Sequence, residues 1–472
     1  MKLRSFAFVL ALLPGAVVAV YAYAQDNFSN AAHDNLPPIL QDQSYSLLDN
    51  LFPLLKVEPG VQESPLRSVD QYEDAVRELE SSHGFYDPEL GKELVGLGLA
   101  YRTSGRHGDA IEAFKRSMHV TRVNEGLYTL SQLPVLDLII AENTELEDWK
   151  KLDQNYHYLC WLYRRNFGDN DVRLLPAVDR AARWHLRAFD SLLGKRPFGH
   201  LLEADKLLDQ AVTIIETQYG PTDSRLIDPL GRLALTNYKI ALYAANVEDV
   251  TEIRPSFLTI GMDDLERWFK EQRVREQVAM DSYRRGKRAL SRVAEIYARN
   301  PELSVASHAT AIAHLGDWYQ VFDMRYRAMD QYREAYTLLQ NAGTPREHID
   351  RLFGRPHSIS DFGVPPADEH KDEPQQIARD RNGAEHVSAY DGPAAPVTPS
   401  VTASCDVTAA GEALNVKILE NNYDTGKSSS RDLAERIAKA RFRPRIEWGK
   451  PVKTQGFKFR VVFDQPSQGK AP

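Results

Sequence analysis

Apolar residues recur every three or four positions from Val69 to about Ala342, with charged and polar residues between them. That spacing predicts a chain of amphipathic helices. Helix-breaking residues divide it: Asn124-Glu125-Gly126, Phe167-Gly168, Gly220-Pro221 and Asn300-Pro301. The predicted helices between these breaks are Gln71–Leu79, Leu127–Glu142, Glu147–Asn166, Leu174–Leu193, His200–Tyr219, Leu230–Ala244 and Gln272–Arg299, with 246–268 irregular. Near either end of the region lies a tighter helix-turn-helix, at 88–120 and at 303–341. From Thr344 to Ser400 the pattern stops: eight prolines and scattered charges predict a disordered linker that cannot bury a core. From Val401 it resumes with a different period. VTASCDVT and ALNVKILE predict strands, SSRDLAERIAKARF a helix with a Ser cap, and GFKFRVVF a closing strand with period-two alternation.

The two tight hairpins share one signature. With Leu94 counted as position 4 of a 34-residue unit, Leu97, Gly98, Tyr101, Ala110, Phe114 and Ser117 fall at 7, 8, 11, 20, 24 and 27. In the second hairpin Ile312, Leu315, Gly316, Tyr319, Ala328, Tyr332 and Ala335 fill the same seven positions. The pattern resembles the tetratricopeptide repeat, in which small residues at 8 and 20 let two helices approach and large ones fill the space between pairs. The helices between keep the pairing but depart from the strict 34-residue period. The resemblance implies a stacked array that binds other proteins. Its concave face would be lined by helix-A positions 2, 5, 9 and 12: Lys92, Val95, Leu99 and Arg102 in the first repeat, Thr310, Ala313, Asp317 and Gln320 in the last. A helix or extended peptide would suit that mixed surface. Tyr101, Trp318, Tyr319 and Tyr332 read as core packing rather than as an aromatic ligand site.

In the last seventy residues, Ala440-Arg441-Phe442-Arg443-Pro444, Trp448-Gly449-Lys450-Pro451-Val452 and the strand Phe457–Phe463 resemble the C-terminal domain of TonB and TolA. That family has strands, a helix, an aromatic-x-Pro step, a Gly-x-Pro-Val turn and a last strand, in the order found here. Thr408-Ala409-Ala410-Gly411-Glu412-Ala413 departs from its tidier first turn. The resemblance implies binding of an extended peptide by strand addition at a sheet edge. The last strand would be the contact, and Lys450, Lys453, Lys458 and Arg460 would attract acidic segments. An energy transducer of that family keeps an N-terminal membrane helix and a Pro-rich spacer; a helical array fills most of that distance here.

Charge and the N-terminus narrow the setting. Lys2 and Arg4, the apolar Phe6–Val20 and Ala22-Tyr23-Ala24 read as an export signal cleaved before Gln25, the alternative being an uncleaved inner-membrane anchor. Residues 25–69 read as an extended lead-in. Residues 25–400 hold 43 Lys+Arg against 58 Asp+Glu, net −15, whereas 401–472 hold 13 against 8, net +5. An acidic body argues against nucleic acid as a partner. A basic end on it implies modules with different partners, or modules that attract each other. The two cysteines, Cys160 and Cys405, are too few for a disulfide framework.

Catalytic signatures are lacking in the sequence. It contains no phosphate-binding glycine loop, no HExxH, CxxC or GxSxG motif, and no histidine pair on one helix closer than His308 and His314. The expectation is therefore no catalytic, cofactor or metal site. The chain is expected to be mainly α: a signal peptide (1–24), a lead-in (25–69), a tetratricopeptide-like solenoid (70–343), a linker (344–400) and a small α+β domain (401–472). The expected role is a non-enzymatic periplasmic adaptor for protein or peptide partners, among them envelope or outer-membrane proteins. The alternatives are a membrane-anchored transducer relative and an enzyme subunit with an unrecognised site.

Overall fold

The computed structural model describes residues 67–359 except 192, 195, 248 and 255–263, together with 400–421 and 430–462. The export signal, nearly all of the lead-in and residues 360–399 of the expected linker lie outside them. The described residues divide into two compact units, one within 67–240 and 249–254, the other within 241–247, 264–359, 400–421 and 430–462. Both carry helix pairs of tetratricopeptide-like form, so the fold is mainly α with a small strand-containing region at the C-terminal end.

In the first unit the helices are α1 (Val69–His83), α2 (Pro88–Thr103), α3 (His107–Glu125), α4 (Leu133–Glu145), α5 (Trp149–Phe167), α6 (Leu175–Asp190) and α7 (Pro197–Tyr219), followed by α8 (Ile227–Asn246). α3 buries residues on two stripes. Leu90, Leu94 and Leu97 of α2 pack on Val76 of α1 and on Ala113 and Val120 of α3. Ala110, Phe114 and Met118 on the next stripe of α3 meet Val135, Leu138 and Ile139 of α4. α3 thus contributes to a cluster on either side, and Tyr101 packs against both, as expected where helix pairs stack. A buried salt bridge adds to it: Lys239 of α8 reaches both carboxylate oxygens of Asp190 at 2.7 and 2.8 Å. Isolated, either charge would be costly in that setting.

The departure from a 34-residue period has a visible cause. Gly84, Gly126 and Gly168 each end a helix with φ between 89° and 102°, and they stand 42 residues apart, 84 to 126 to 168. Gly220, with φ 94°, ends the next unit 52 residues on. After the last three, a 3₁₀ turn intervenes before the next helix: Leu130–Gln132, Val172–Leu174 and Ser224–Leu226, each capped by the side chain of Thr129, Asp171 or Asp223. Pro134 and Pro176 then sit in the first turns of α4 and α6, where a missing N–H costs nothing. This is why α4 starts at Leu133, six residues later than periodicity predicts. The clamp across the connection repeats too. Asn124 Nδ2 donates to the Tyr86 carbonyl at 2.7 Å, and Asn166 Nδ2 to that of Tyr128 at 2.9 Å, again 42 residues on.

The second unit holds α9 (Asp264–Arg299), α10 (Val305–Val321), α11 (Arg325–Asn341) and α12 (Arg346–Phe353), then the strand β1 (His357–Ser358). The expected linker therefore does not begin at Thr344. Ile349 and Phe353 give α12 a buried face, and Phe353 packs 5.9 Å from Tyr336, which is enough apolar surface to fix one short helix. The remaining elements are β2 (Ser400–Val407), β3 (Ala413–Asn421), α13 (Ser430–Lys439), β4 (Phe442–Arg443), β5 (Arg445–Glu447), β6 (Lys450–Val452) and β7 (Thr454–Val462). Two strands, a helix and a closing strand follow in the order read from the sequence, with the short strands β4, β5 and β6, which the sequence reading does not include, between α13 and β7. β2 lies between β3 and β7 in an antiparallel sheet, with Ala403 opposite Phe459 and Cys405 opposite Phe457. Val401, Ala403, Cys405 and Val407 alternate inward, and the last three pack with Phe442, Phe459 and Ile437. Cys160 and Cys405 are both buried free thiols, each pushed up to about 11 by burial.

Candidate interaction surface on the last repeat

The hairpin α10–α11 shows what the shared signature does. A Cβ on Gly316 would lie 2.5 Å from the Tyr332 ring, and one on Gly98 in the first repeat 2.3 Å from the Phe114 ring. Only glycine at position 8 lets the aromatic residue at position 24 lie across the partner helix. Ala110 and Ala328, both fully buried, occupy position 20. Trp318 and Tyr332 are fully buried, and Tyr319 nearly so.

Positions 9 and 12 of this last helix A do not open to solvent. Asp317 and Gln320 are buried at 4 % and 0 % exposure because the C-terminal strands lie over them. The Arg443 guanidinium from β4 forks onto Asp317, its Nε donating to Oδ1 at 2.9 Å and its Nη2 to Oδ2. The Tyr332 hydroxyl donates to the same Oδ1 at 2.8 Å, and Arg443 Nη1 donates to the Leu352 carbonyl at 3.3 Å. Gln320 Nε2 donates to the Ala410 carbonyl at 2.5 Å. At the rim, Arg325 pairs with Glu412 at 2.7 Å and Arg441 with Asp323 at 3.5 Å. The turn that carries Ala410 is built for this approach. Thr408 Oγ1 accepts from the N–H groups of Ala410 and Glu412, and Gly411 holds φ 76°. A Cβ on Gly411 would lie 2.0 Å from the Phe442 carbonyl oxygen and 2.4 Å from Gln320 Nε2. The turn 408–413 thus touches α10 directly.

The electrostatics follow from burial and pairing. Burial alone would push Asp317 up; the Arg443 guanidinium and its hydrogen bonds outweigh it and hold the carboxyl below its usual range. Burial lowers His314 to about 4, with Arg443 adding to the shift and Asp317 opposing it. His357 on β1 is likewise lowered to about 4, by burial first and Arg443 next. β1 pairs with β4, Ser358 opposite Phe442 and His357 opposite Arg443, so the segment after α12 is stitched to the same strand. Beside it a cleft of about 300 Å³ is lined by Tyr336, Arg346, Arg355, Arg445 and the 73 %-exposed Trp448.

The other sequence-picked residues fall differently. Lys92 is exposed and pairs with Glu89 one turn away at 2.7 Å. Arg102 turns to the fully buried Glu142 of α4, its Nε 3.1 Å from Oε1, while His107 Nδ1 lies 2.6 Å from Oε2. Val95 and Leu99 pack against the α3–α4 cluster instead of lining a groove. Lys450 and Lys458 are exposed on β6 and β7, and Lys453 lies 3.9 Å from Asp406. Arg460 stands opposite Thr402 in the β2–β7 ladder. β7 forms one edge of the sheet, and among the described residues no strand pairs with its far side. Sequence reasoning does not mark Arg443, the residue that holds the contact; the signal the sequence does carry is a lone acid, Asp317, in an otherwise apolar stretch.

No protein-family model matches this chain, and no curated protein sequence does. Among solved structures, a Podosopora anserina putative kinesin light chain with nearly identical TPR-like repeats is similar at 13 % identity. It covers 54 % of this chain and 98 % of its own, with a TM-score of 0.33. BtubC (BKLC) from P. vanneervenii is similar at 13 % identity, covering 60 % of this chain and 91 % of its own, with a TM-score of 0.29.

Proposed function

We propose that this chain is a non-enzymatic protein-interaction scaffold of the cell envelope, in which the last repeat is occupied by the chain's own C-terminal domain. The observation that carries the reading is the buried Arg443–Asp317 fork. A helix-A face of the kind used by such arrays to take a protein ligand here holds a folded surface, with charge, hydrogen bonds and a shaped turn all matched to it. The remaining helical surface of the array is offered to one protein partner, and the open edge of β7 with Lys458 to an extended acidic segment of another. Residues 1–24 would direct the chain to the periplasm; among the described residues no helix is long and apolar enough to cross a membrane.

In-cell photo-crosslinking with recovery by mass spectrometry tests this. The full chain, a chain ending at Ser400 and an Arg443→Glu variant would be compared, and the mature N-terminus sequenced. A partner lost on truncation but kept in Arg443→Glu belongs to the domain itself. A partner gained in both variants belongs to the uncovered face of α10. Identical captures from all three chains would overturn the reading, and an intact Met1 in the mature protein would favour the membrane-anchored alternative.

A further inference from the structure

Three histidines and one aspartate, scattered over three helices of the first unit, come together on one side of α5–α7. Asp153 and His157 stand one turn apart on α5, so they share a face. His185 comes from α6 and His200 from the first turn of α7. His185 Nδ1 lies 3.8 Å from Asp153 Oδ1, and His157 Nδ1 3.7 Å from Asp153 Oδ2. One ligand atom from each of Asp153, His157 and His185 can be chosen so that all lie within 4.8 Å of one another. Two ligands on one tetrahedral zinc ion stand roughly 3.3 Å apart, so small side-chain rotations close the set. His200 Nδ1 lies 2.9 Å from His185 Nδ1, where a fourth ligand or an orienting partner would stand.

We infer that Asp153, His157 and His185, completed by His200, form a binding site for a borderline divalent metal of the zinc type. Four further features of the surroundings fit. In the metal-free arrangement His157 Nδ1 donates to the Asp153 backbone carbonyl at 2.9 Å, and a turn of this exposed ring brings a lone pair to the ion. Trp184 Nε1 donates to Asp153 Oδ1 at 3.2 Å and orients the carboxylate. Trp184 stacks between Tyr156 and Trp149, at 5.6 and 6.2 Å, giving one dry wall. His185 is 5 % exposed and His157 59 %, so the site is anchored on its inner side and open to entering ions on the other. Mixed imidazole and carboxylate ligands suit Zn²⁺, with Co²⁺ and Cu²⁺ as competitors, over Mg²⁺ or Ca²⁺.

Purified, tag-free full chain, stripped with chelator, would be titrated with Zn²⁺ by calorimetry and with Co²⁺ by visible absorption, following Trp fluorescence. The expected result is one Zn²⁺ per chain at micromolar affinity or tighter, a tetrahedral Co²⁺ spectrum, quenching by Co²⁺, and a Zn²⁺-dependent rise in melting temperature. His157→Gln, exposed and so safe for folding, and Asp153→Asn should each weaken Zn²⁺ tenfold or more, and His200→Gln tenfold. Circular dichroism confirms that each variant is folded. Absence of saturable Zn²⁺ binding, or affinity unchanged in both His157→Gln and Asp153→Asn, would overturn the assignment.

Discussion

The first and last tight hairpins share their seven signature positions yet differ at position 9 and in the chemistry of position 24. In the first, Leu99 and Phe114 leave an apolar surface that the neighbouring α4 helps to cover. In the last, Asp317 and Tyr332 replace them, and the Tyr332 hydroxyl and the Arg443 guanidinium both donate to the new carboxylate. The glycine and alanine positions, which set how closely two helices approach, are indifferent to this change. The signature therefore specifies the hairpin, while the residues between its positions specify what lies on top: another helix in one case, a β-structured domain in the other.

The largest effect expected from breaking this difference is at the buried fork. Asp317→Ala leaves Arg443 uncompensated and should cost about 3–5 kcal/mol, whereas Arg102→Ala removes a partly exposed arginine and leaves the buried Glu142 held by His107, so it should cost less, about 1–2 kcal/mol. Urea denaturation followed by circular dichroism compares the two, and limited proteolysis should show α12 and the C-terminal strands cut first in the Asp317 variant. Next come the glycines. Gly98→Ala and Gly316→Ala should each cost about 1–3 kcal/mol by forcing the ring at position 24 aside. Similar losses from the two would place this cost in the hairpins themselves; loss from one alone would contradict a shared packing role.

A third effect depends on pH. His314 and His357 have folded values near 4, below the usual histidine value of about 6.5. The unfolded chain therefore takes up protons first, and stability falls as pH drops from about 6.5 to 4, by roughly 1.4 kcal/mol per pH unit for each histidine. Asp317, whose value is depressed, loses its contribution only at pH below the usual carboxylate range. Melting temperatures across pH 7 to 4 should show the decline, and His314→Gln should make it shallower while His357 keeps its share. The smallest effect is at the surface: Lys92→Ala, removing an exposed pair with Glu89, should change stability by less than about 0.5 kcal/mol.

How much of this was legible follows from which interactions are local. Helix positions follow from apolar spacing and from stops such as Gly168 and Gly220, because both act within a few residues. The 42-residue spacing of Gly84, Gly126 and Gly168 is also present, but a 34-residue template hides it: α3 and α5 run 19 residues each, and after Gly126 a capped 3₁₀ connection adds to the count. Asp317 and Gln320 read as an open concave face for a separate partner, whereas in the structure the surface that lies on them is built from Ala410 and Arg443. That the surface belongs to the same chain depends on Arg443, 126 residues away, and no periodicity reports such a distance. The same limit hid the histidine cluster, whose members share no motif because they come from three helices. Residues 344–359 were read as linker because α12 buries only Ile349 and Phe353, too few for a periodic signal.

The most direct test of the docked C-terminal domain is a double-mutant cycle on Asp317→Asn and Arg443→Met, read by urea denaturation of the full chain. The account predicts a coupling of about 1–3 kcal/mol, with the second substitution costing little once the first is made. Losses that simply add, to within about 0.5 kcal/mol, would show that the two residues do not hold each other and would contradict it.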